Sequence, residues 1–352
     1  MTTVKKVRDT NIELFRIFLM LMIIAHHYVY HSGVPDLYNY DHVTGNQLFL
    51  ILWGWGGKTG INCFLLITGY FMCLQRFTWK KFLKLYLEIK FYSLLIPVIF
   101  WAIGRQPLTF KYCIDTLFGV AIHMSDDFAP TFLALFLLVP FINILIDALD
   151  KKNHLRLLLA LLFIFTVTSS FFNNQSPNQI GWYVTVYLIG AYLRKYPPTL
   201  LSDVKKSTWL AVVSLSLCAA SILFFVYTKH RLAFSNYFLV ADSNKILAIL
   251  AAVSLFCMFK SINMGQIRWV NQIATATFGI FLIHDQPNVR EWLWNDVFCA
   301  KDYFTSDWLW LHAICAMLVV YVACAIIDIL RQRLLEKPFF TWLDNKFPRL
   351  NQ

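Results

Sequence analysis

Charged residues are scarce in this chain, and their scarcity excludes a typical soluble domain. They make up 14% of the 352 residues, while 58% of the residues are hydrophobic and the mean hydropathy is +0.56. A soluble domain carries about 25% charged residues. Several apolar runs reach the roughly 20 residues that a helix needs to cross a bilayer. We therefore expect an all-α, polytopic transmembrane helical bundle, formed by one membrane-embedded domain over residues 1–352.

Clustered cysteines and phosphate-binding loops are also missing. The eight cysteines are scattered, and none belongs to a Cys-x-x-Cys or Cys/His pattern of metal-ligand spacing. The segment 54–59 is rich in glycine, but it lacks the Gly-x4-Gly-Lys-Ser/Thr spacing of a phosphate-binding loop. The sequence therefore predicts no metal site and no nucleotide chemistry of the P-loop kind.

Acidic residues are few relative to basic ones. The chain has 20 Asp and Glu against 31 Lys and Arg, which gives a formal net charge of +11. Basic residues of membrane proteins collect in cytoplasmic loops, close to anionic lipid. We therefore interpret the positive charge as contact with membrane lipid, and we expect no nucleic-acid partner.

A cleavable signal peptide is not expected, because the apolar run after the basic N-terminus is long and has no small-residue cleavage site. The distribution of Lys and Arg predicts the orientation of the chain. If the N-terminus is inside, 21 of these residues fall on the inner side and seven on the outer side. This bias predicts cytoplasmic termini and a multi-pass protein of the cell membrane. The ten predicted spans are 12–32, 58–75, 82–103, 130–149, 154–172, 180–194, 208–228, 244–260, 273–296 and 306–330.

Two interruptions of this pattern are expected. The segment 104–129 contains several charged residues and is predicted to be an outer loop with an amphipathic helix. Pro287 falls inside the ninth span, where proline kinks or ends a helix.

The first span carries an arginine near one end and histidines near the other. Arg16 and His27 are eleven positions apart, so on a helix they lie within roughly 20° of each other and about 16 Å apart along the axis. Charge in hydrocarbon is costly, and such residues usually face a protein interior. Histidine is the side chain best suited to move a proton at neutral pH, so His27 is the candidate base. His26 is turned about 80° from Arg16 and is the weaker candidate.

Both residues also have structural interpretations. Arg16 could snorkel to lipid phosphate while paired with Glu13, three residues earlier. His27 could be an interfacial histidine without chemistry. The spacing alone leaves these alternatives open.

Three further polar groups are candidates for the same site. Lys58 could offset the charge of an acceptor or an oxyanion, or it could anchor the helix at the outer interface. His284 could carry a second proton, and Asp285 could orient an imidazole or bind a sugar. Together with Arg290, these two residues could instead form a hydrogen-bonded cluster that holds two helices together.

An aromatic, amide-rich patch is predicted near the sixth span. Asn173, Asn174, Trp182, Tyr183 and Tyr187 could form an outer mouth that stacks a sugar ring. An aromatic belt at the membrane interface would explain the tryptophan and the tyrosines equally well.

Four stretches resemble, in order, the acyltransferase-3 family of membrane proteins. Arg16 followed by ten residues and His27 is similar to the Arg-x10-His signature of that family. The other three stretches are GINCFLLITGYF at 60–71, GWYVTVYLIGAY at 181–192 and TFGIFLIHD at 277–285. The resemblance implies ten core helices and transfer of an acyl group, typically acetyl from acetyl-CoA. The acceptors that it implies are hydroxyls of surface glycans or of their lipid-linked precursors.

The geometry of the first span suits this reaction. Arg16, with Lys58 as a second candidate cation, would hold the phosphates of a cytosolic acyl-CoA while its long arm reaches His27. We expect one continuous tunnel from cytosol to exterior, with Arg16 and His27 in its wall. His27 would act as general base on the acceptor hydroxyl or form a transient acyl-histidine, and the sequence leaves both open.

The sequence thus predicts a membrane O-acyltransferase that uses acetyl-CoA and a cell-surface polysaccharide or its lipid-linked unit. Its candidate substrate-binding residues are His284, Asp285, Trp182, Tyr183 and Asn173. One alternative is a transporter or flippase of a lipid-linked sugar or small acid, which paired broken half-helices at the midplane would favour. Another is a sensor that uses the same scaffold without chemistry. The sugar, the hydroxyl and the oligomeric state stay open.

Overall fold

The computed structural model describes residues 9–107, 109–124, 127–172, 178–232, 235 and 237–347. All regular secondary structure in these residues is helical, which confirms the all-α prediction. The first eight α-helices are α1 (Thr10–Tyr30), α2 (Gly45–Gly54), α3 (Gly57–Met72), α4 (Trp79–Ala102), α5 (Phe110–Ile122), α6 (Phe128–Ala148), α7 (Lys151–Leu162) and α8 (Thr168–Phe172). The others are α9 (Gln179–Lys195), α10 (Val204–Leu232), α11 (Ile246–Ser261), α12 (Arg268–Ile273), α13 (Thr277–His284), α14 (Pro287–Glu291), α15 (Leu309–Arg331) and α16 (Lys337–Lys346).

Short π-helical segments join some of these helices into longer rods. Phe163–Val167 links α7 to α8, Trp292–Val297 extends α14, and Gln332–Glu336 links α15 to α16. Short 3-10 segments lie at Val34–Leu37, Thr199–Leu201, Ala274–Ala276 and Ala300–Tyr303.

Seven helical segments in the described part of the chain are long and apolar enough to cross a membrane. They are Thr10–Tyr30, Gly45–Met72, Trp79–Ala102, Phe128–Ala148, Lys151–Phe172, Val204–Thr228 and Leu309–Lys346. The predicted spans 180–194, 244–260 and 273–296 correspond to the shorter helices α9, α11 and α13 with α14. Ten spans with both termini in the cytoplasm therefore stay a prediction.

Side-chain caps explain where several helices begin. The side chains of these residues accept hydrogen bonds from the first backbone N–H groups of the helix, which otherwise lack a partner. Such caps are Thr44 for α2, Thr78 for α4, Thr109 for α5, Asp150 for α7, Asn178 for α9 and Gln286 for α14.

The chain breaks its helix between His284 and Pro287. Helix α13 ends at His284, the Gln286 side chain caps α14, and Pro287 is the first residue of α14. Proline is favoured at this position because its missing N–H would be unpaired there in any case. The prediction that the ninth span kinks or ends near Pro287 is confirmed. Within the predicted loop 104–129, a helix forms as expected, at α5.

Helix α1 lies at the centre of the bundle. It packs against α2, α3, α11, α12, α13 and α15. Phe15, Leu19, Ile24 and Tyr28 on this helix are fully buried. A central α1 places Arg16 and His27 among other helices, as expected for polar residues in an apolar helix.

Helices α3 and α9 cross at glycines. A Cβ on Gly190 would lie 2.5 Å from the Leu66 carbonyl oxygen, and a Cβ on Gly69 would clash with the backbone of Tyr187. Small residues let helix backbones approach closely inside a membrane, where dispersion contacts replace the hydrophobic effect as the driving force. The two glycines therefore set the distance between α3 and α9.

Replacing Gly190 with alanine should destabilise the protein, because the Leu66 carbonyl belongs to a helix backbone that cannot move aside locally. We expect a loss of about 1–3 kcal/mol, as for other overpacked sites. Thermal unfolding in detergent measures it. Gly119→Ala on α5 is the matched control, since its nearest contact would be an ordinary 3.8 Å from His123. Equal melting temperatures for the two variants would contradict the close crossing.

Candidate active site

One face of α1 carries the polar residues predicted from the sequence. Arg16, Met20 and Ile23 line a common cavity, and His27 continues the same stripe one turn further. The guanidinium of Arg16 is 3.6 Å from Glu13, and about a third of its side chain is exposed. His27 is 9% exposed. Arg16 thus contributes to the wall of an internal cavity.

Two side chains contact His27: His284, the last residue of α13, and Asp285, the residue after it. Nδ1 of His27 lies 3.0 Å from Nε2 of His284 and 3.4 Å from Oδ1 of Asp285. His284 is fully buried, and its ring centroid is 5.1 Å from that of His27. The structure therefore brings His27 together with two adjacent residues that lie more than 250 positions away in the sequence.

The backbone of α13 determines how the proton is placed in this group. Nδ1 of His284 lies 2.6 Å from the carbonyl oxygen of Ile280, which can only accept a hydrogen bond. Because a neutral imidazole carries one proton, Nε2 of His284 is then an acceptor. Nδ1 of His27 must therefore donate to it, and Nε2 of His27 keeps an unprotonated lone pair. This is the tautomer that a general base requires.

Asp285 lies near the same nitrogen of His27 as His284 does. Its carboxylate accepts a hydrogen bond of 2.8 Å from Nη2 of Arg290, which also donates to the Asp285 backbone carbonyl. His31 lies 3.7 Å from the same carboxylate oxygen. The helix break after His284 makes this arrangement possible, since it returns Arg290 towards Asp285 within five residues.

His27, His31 and Asp285 have the geometry of a possible metal site. One ligand atom from each lies within 4.8 Å of the others. The Arg290 guanidinium, however, is bonded to the same Asp285 oxygen and would have to leave before a cation could bind. The contacts therefore favour an ion pair and hydrogen bonds in this cluster.

A large cavity opens on the Arg16 side of the site, and we call it the Arg16 cavity. Its volume is about 770 Å³. It lies between α1, α3, α4, α6, α13 and the α15–α16 rod. Four basic side chains and two carboxylates line it, which are Arg16, Lys84, Arg333, Lys337, Glu88 and Glu336.

A second cavity, the Asp285 cavity, lies on the opposite side. Its volume is about 290 Å³, and α4, α5, α6 and the segment 285–290 form its walls. Polar lining side chains include Tyr112, Asp115, His123, Asp127, Asp285, Asn288 and Arg290. His27 is outside the lining of both cavities, and the path is divided in two. This differs from the single continuous tunnel expected from the sequence.

The other predicted site residues lie at different places. Lys58 is outside the lining of the Arg16 cavity, but it is close enough to His26, His31 and Asp285 to act on them electrostatically. This position of Lys58 fits its predicted role in offsetting the charge of the acceptor better than a role in binding the phosphates of the donor. His26 bonds through Nδ1 to the Gly54 carbonyl, away from the site.

The predicted aromatic mouth is not visible as an open surface. Trp182 is 1% exposed and donates from its indole N–H to Asn62, and Tyr183 is equally buried. Asn173 and Asn174 lie outside the described residues. A sugar-stacking role for these residues stays a prediction, and the burial of the two aromatic residues does not support it.

Sequence reasoning missed a buried ionic cluster beside the Arg16 cavity. Arg331 donates to Asp328 at 2.8 Å, and to Glu88 and Glu336 at 2.9 Å each. Lys84 pairs with Glu336 at 2.6 Å. Breaking a buried pair leaves an uncompensated charge, so this cluster fixes α4 against α15. The signal in the sequence was Asp328 and Arg331, one helical turn apart at the end of an apolar span.

These features define the class of the protein. It is an all-helical chain with apolar helices of membrane-spanning length and a histidine–carboxylate group between two cavities. A family model described as an acyltransferase domain matches residues 9–329, and the chain belongs to this acyltransferase-3 family. Membership indicates a membrane acyltransferase. No curated protein and no solved structure gives a significant match.

Replacing His284 tests how the His27 proton is positioned. His284→Phe removes the acceptor for the His27 N–H, while Asp285 remains as a weaker partner. We expect acyl transfer to fall roughly 10- to 100-fold in kcat, less than for complete loss of a general base. His284→Gln keeps an acceptor oxygen and should restore most of the rate. Equal kcat values for the Phe and Gln variants would contradict this positioning role.

Proposed function

We propose that the protein is a membrane O-acyltransferase that moves an acetyl group from acetyl-CoA to a hydroxyl of a cell-surface polysaccharide or of its lipid-linked precursor. It would act as a multi-pass protein of the cell membrane. The observation that supports this proposal most is the imidazole of His27, whose proton is held on Nδ1 and whose ring lies 6.3 Å from that of Phe281, a residue that lines both cavities. A transferase whose substrates come from opposite sides of a membrane needs such an arrangement.

The Arg16 cavity suits the donor. Glu88 and Glu336 are paired with Arg331 and Lys84, and Arg16 lies 3.6 Å from Glu13, so the other lining cations, Arg333 and Lys337, give this side a positive character. Guanidinium and ammonium groups bind phosphate through charge-assisted hydrogen bonds. The axial separation of about 16 Å between Arg16 and His27 leaves room for an extended pantetheine arm. The loop charges predict that this side is cytoplasmic.

The Asp285 cavity suits the acceptor. Its lining offers carboxylates, a guanidinium, an amide and a phenol, which together can donate and accept hydrogen bonds. Sugar hydroxyls need both kinds of partner. The cavity is smaller than the Arg16 cavity, which fits a sugar ring that enters from the opposite side of the membrane.

The proposed reaction follows from the tautomer of His27. Nε2 of His27 takes the proton of the acceptor hydroxyl while the oxygen attacks the thioester carbonyl. The carbon–sulfur bond then breaks, the new ester forms, and the imidazolium returns the proton to the leaving thiolate. His284 and Asp285 hold Nδ1 throughout and stabilise the imidazolium. Lys58 and Arg290 contribute positive charge near the developing oxyanion.

Transfer of radiolabel from acetyl-CoA to glycan in proteoliposomes tests the function directly. His27→Ala should abolish transfer, because general-base catalysis contributes about 10²- to 10⁴-fold and the other members of the group cannot replace Nε2. His42→Ala, at an exposed loop position, is the control and should keep full activity. A His27→Ala protein that inserts and transfers at the normal rate would remove His27 from the site.

Replacing Arg16 tests the donor side. Arg16→Gln should raise KM for acetyl-CoA about 10- to 100-fold, the value of one or two hydrogen bonds to a charged group, with a smaller change in kcat. The control is Arg76→Gln, since Arg76 is exposed and outside the cavity lining. An unchanged KM in the Arg16 variant would place the donor phosphates elsewhere.

A further inference from the structure

The two cavities meet at a pair of aromatic rings. Among the described residues, only Phe128 and Phe281 line both the Arg16 cavity and the Asp285 cavity. Their ring centroids are 5.0 Å apart, and the rings are nearly perpendicular. An edge-to-face pair of this kind is a favourable and specific contact. The wall between the cavities is therefore an aromatic pair.

The surroundings of the pair hold it beside the catalytic group. Phe281 is 6% exposed, and its ring is 6.3 Å from that of His27 and 6.1 Å from that of His284. On the other side, the Phe128 ring is 5.8 Å from that of Phe132. The wall and the base thus share one layer of the bundle.

Helix α4 crosses both cavities at the same layer. Glu88 lines the Arg16 cavity and its neighbour Ile89 lines the Asp285 cavity, so the change from one to the other takes place within one residue. The wall is thin, about the thickness of one aromatic side chain. A group that reaches Phe281 from the Arg16 cavity lies close to His27, because the two rings are 6.3 Å apart.

We propose that Phe128 and Phe281 form a partition that separates donor from acceptor and limits the acyl chain to a short one. The inference rests on the proposed function and goes beyond it, because it assigns the selection of the donor to two residues. An acetyl group ends at the rings with its carbonyl near His27. A longer chain meets the rings first, and its thioester stops short of the base.

The expected size of the preference for acetyl over longer acyl chains follows from the cost of fitting an extra methylene group into a close-fitting pocket. One methylene too many in a close-fitting apolar pocket costs roughly 10- to 200-fold in kcat/KM. Butyryl-CoA carries two more methylenes than acetyl-CoA, so the protein should strongly prefer acetyl. Phe128→Ala removes one ring of the pair and leaves Phe281 in contact with the histidines.

The experiment compares acetyl-CoA with butyryl-CoA and hexanoyl-CoA as donors in proteoliposomes. Phe128→Ala should raise the ratio of butyryl to acetyl kcat/KM at least about tenfold. Phe132→Ala is the matched control, because Phe132 lines the Arg16 cavity alone and packs against Phe128. A folded Phe128→Ala protein with the same donor profile as Phe132→Ala would overturn the proposal.

If the protein transfers no acyl group from any donor, the proposed function is refuted but the partition is not. A cysteine-labelling experiment then tests the partition by itself. Asp115→Cys in the Asp285 cavity is treated with a membrane-impermeant thiosulfonate from each side, after Cys113, Cys299 and Cys315 have been replaced by serine. A partition is supported if the cysteine at position 115 reacts only from the Asp285 side when Phe128 is present. The same cysteine should also react from the Arg16 side when Phe128→Ala is added. Equal reaction from both sides without that substitution would overturn the partition.

Discussion

The bond between His284 and the Ile280 carbonyl is the constraint on which the site depends. It assigns the proton of His284 to Nδ1, and it thereby assigns the proton of His27 to the nitrogen that faces His284. The chemistry of the other His27 nitrogen follows from this backbone contact. Asp285 adds a carboxylate that can stabilise the imidazolium, in the way that a buried aspartate supports the histidine of a hydrolase triad.

Contacts elsewhere in the bundle reduce the free-energy cost of burying the charged groups of this site inside a membrane. The most buried charged groups near the two cavities have partners of opposite sign, as shown by Arg290 with Asp285 and by Arg331 with its three carboxylates. Ion pairing lowers the cost of keeping such groups away from water. The glycine crossing of α3 and α9 and the central position of α1 supply the close packing that holds the pairs in register.

Much of this could be predicted from the sequence, because it depends on local patterns. Apolar runs predicted the helices, helical spacing placed Arg16 and His27 on one face, and Pro287 predicted the helix break. Contacts between distant segments could not be predicted in this way. The ring pair of Phe128 and Phe281 joins helices far apart in the chain, and single phenylalanines in apolar spans look like ordinary core residues. Trp182 shows the same limit, since a residue type common on open aromatic surfaces is buried here against Asn62, a contact that the sequence does not reveal.

The most direct test of the account is a cryo-electron microscopy structure with a thioether analogue of acetyl-CoA bound. The account predicts phosphate groups near Arg16 in the Arg16 cavity and the analogue's carbonyl next to Nε2 of His27, at the layer of Phe281. An analogue bound elsewhere, or a carbonyl held away from His27 by ordered side chains, would contradict it.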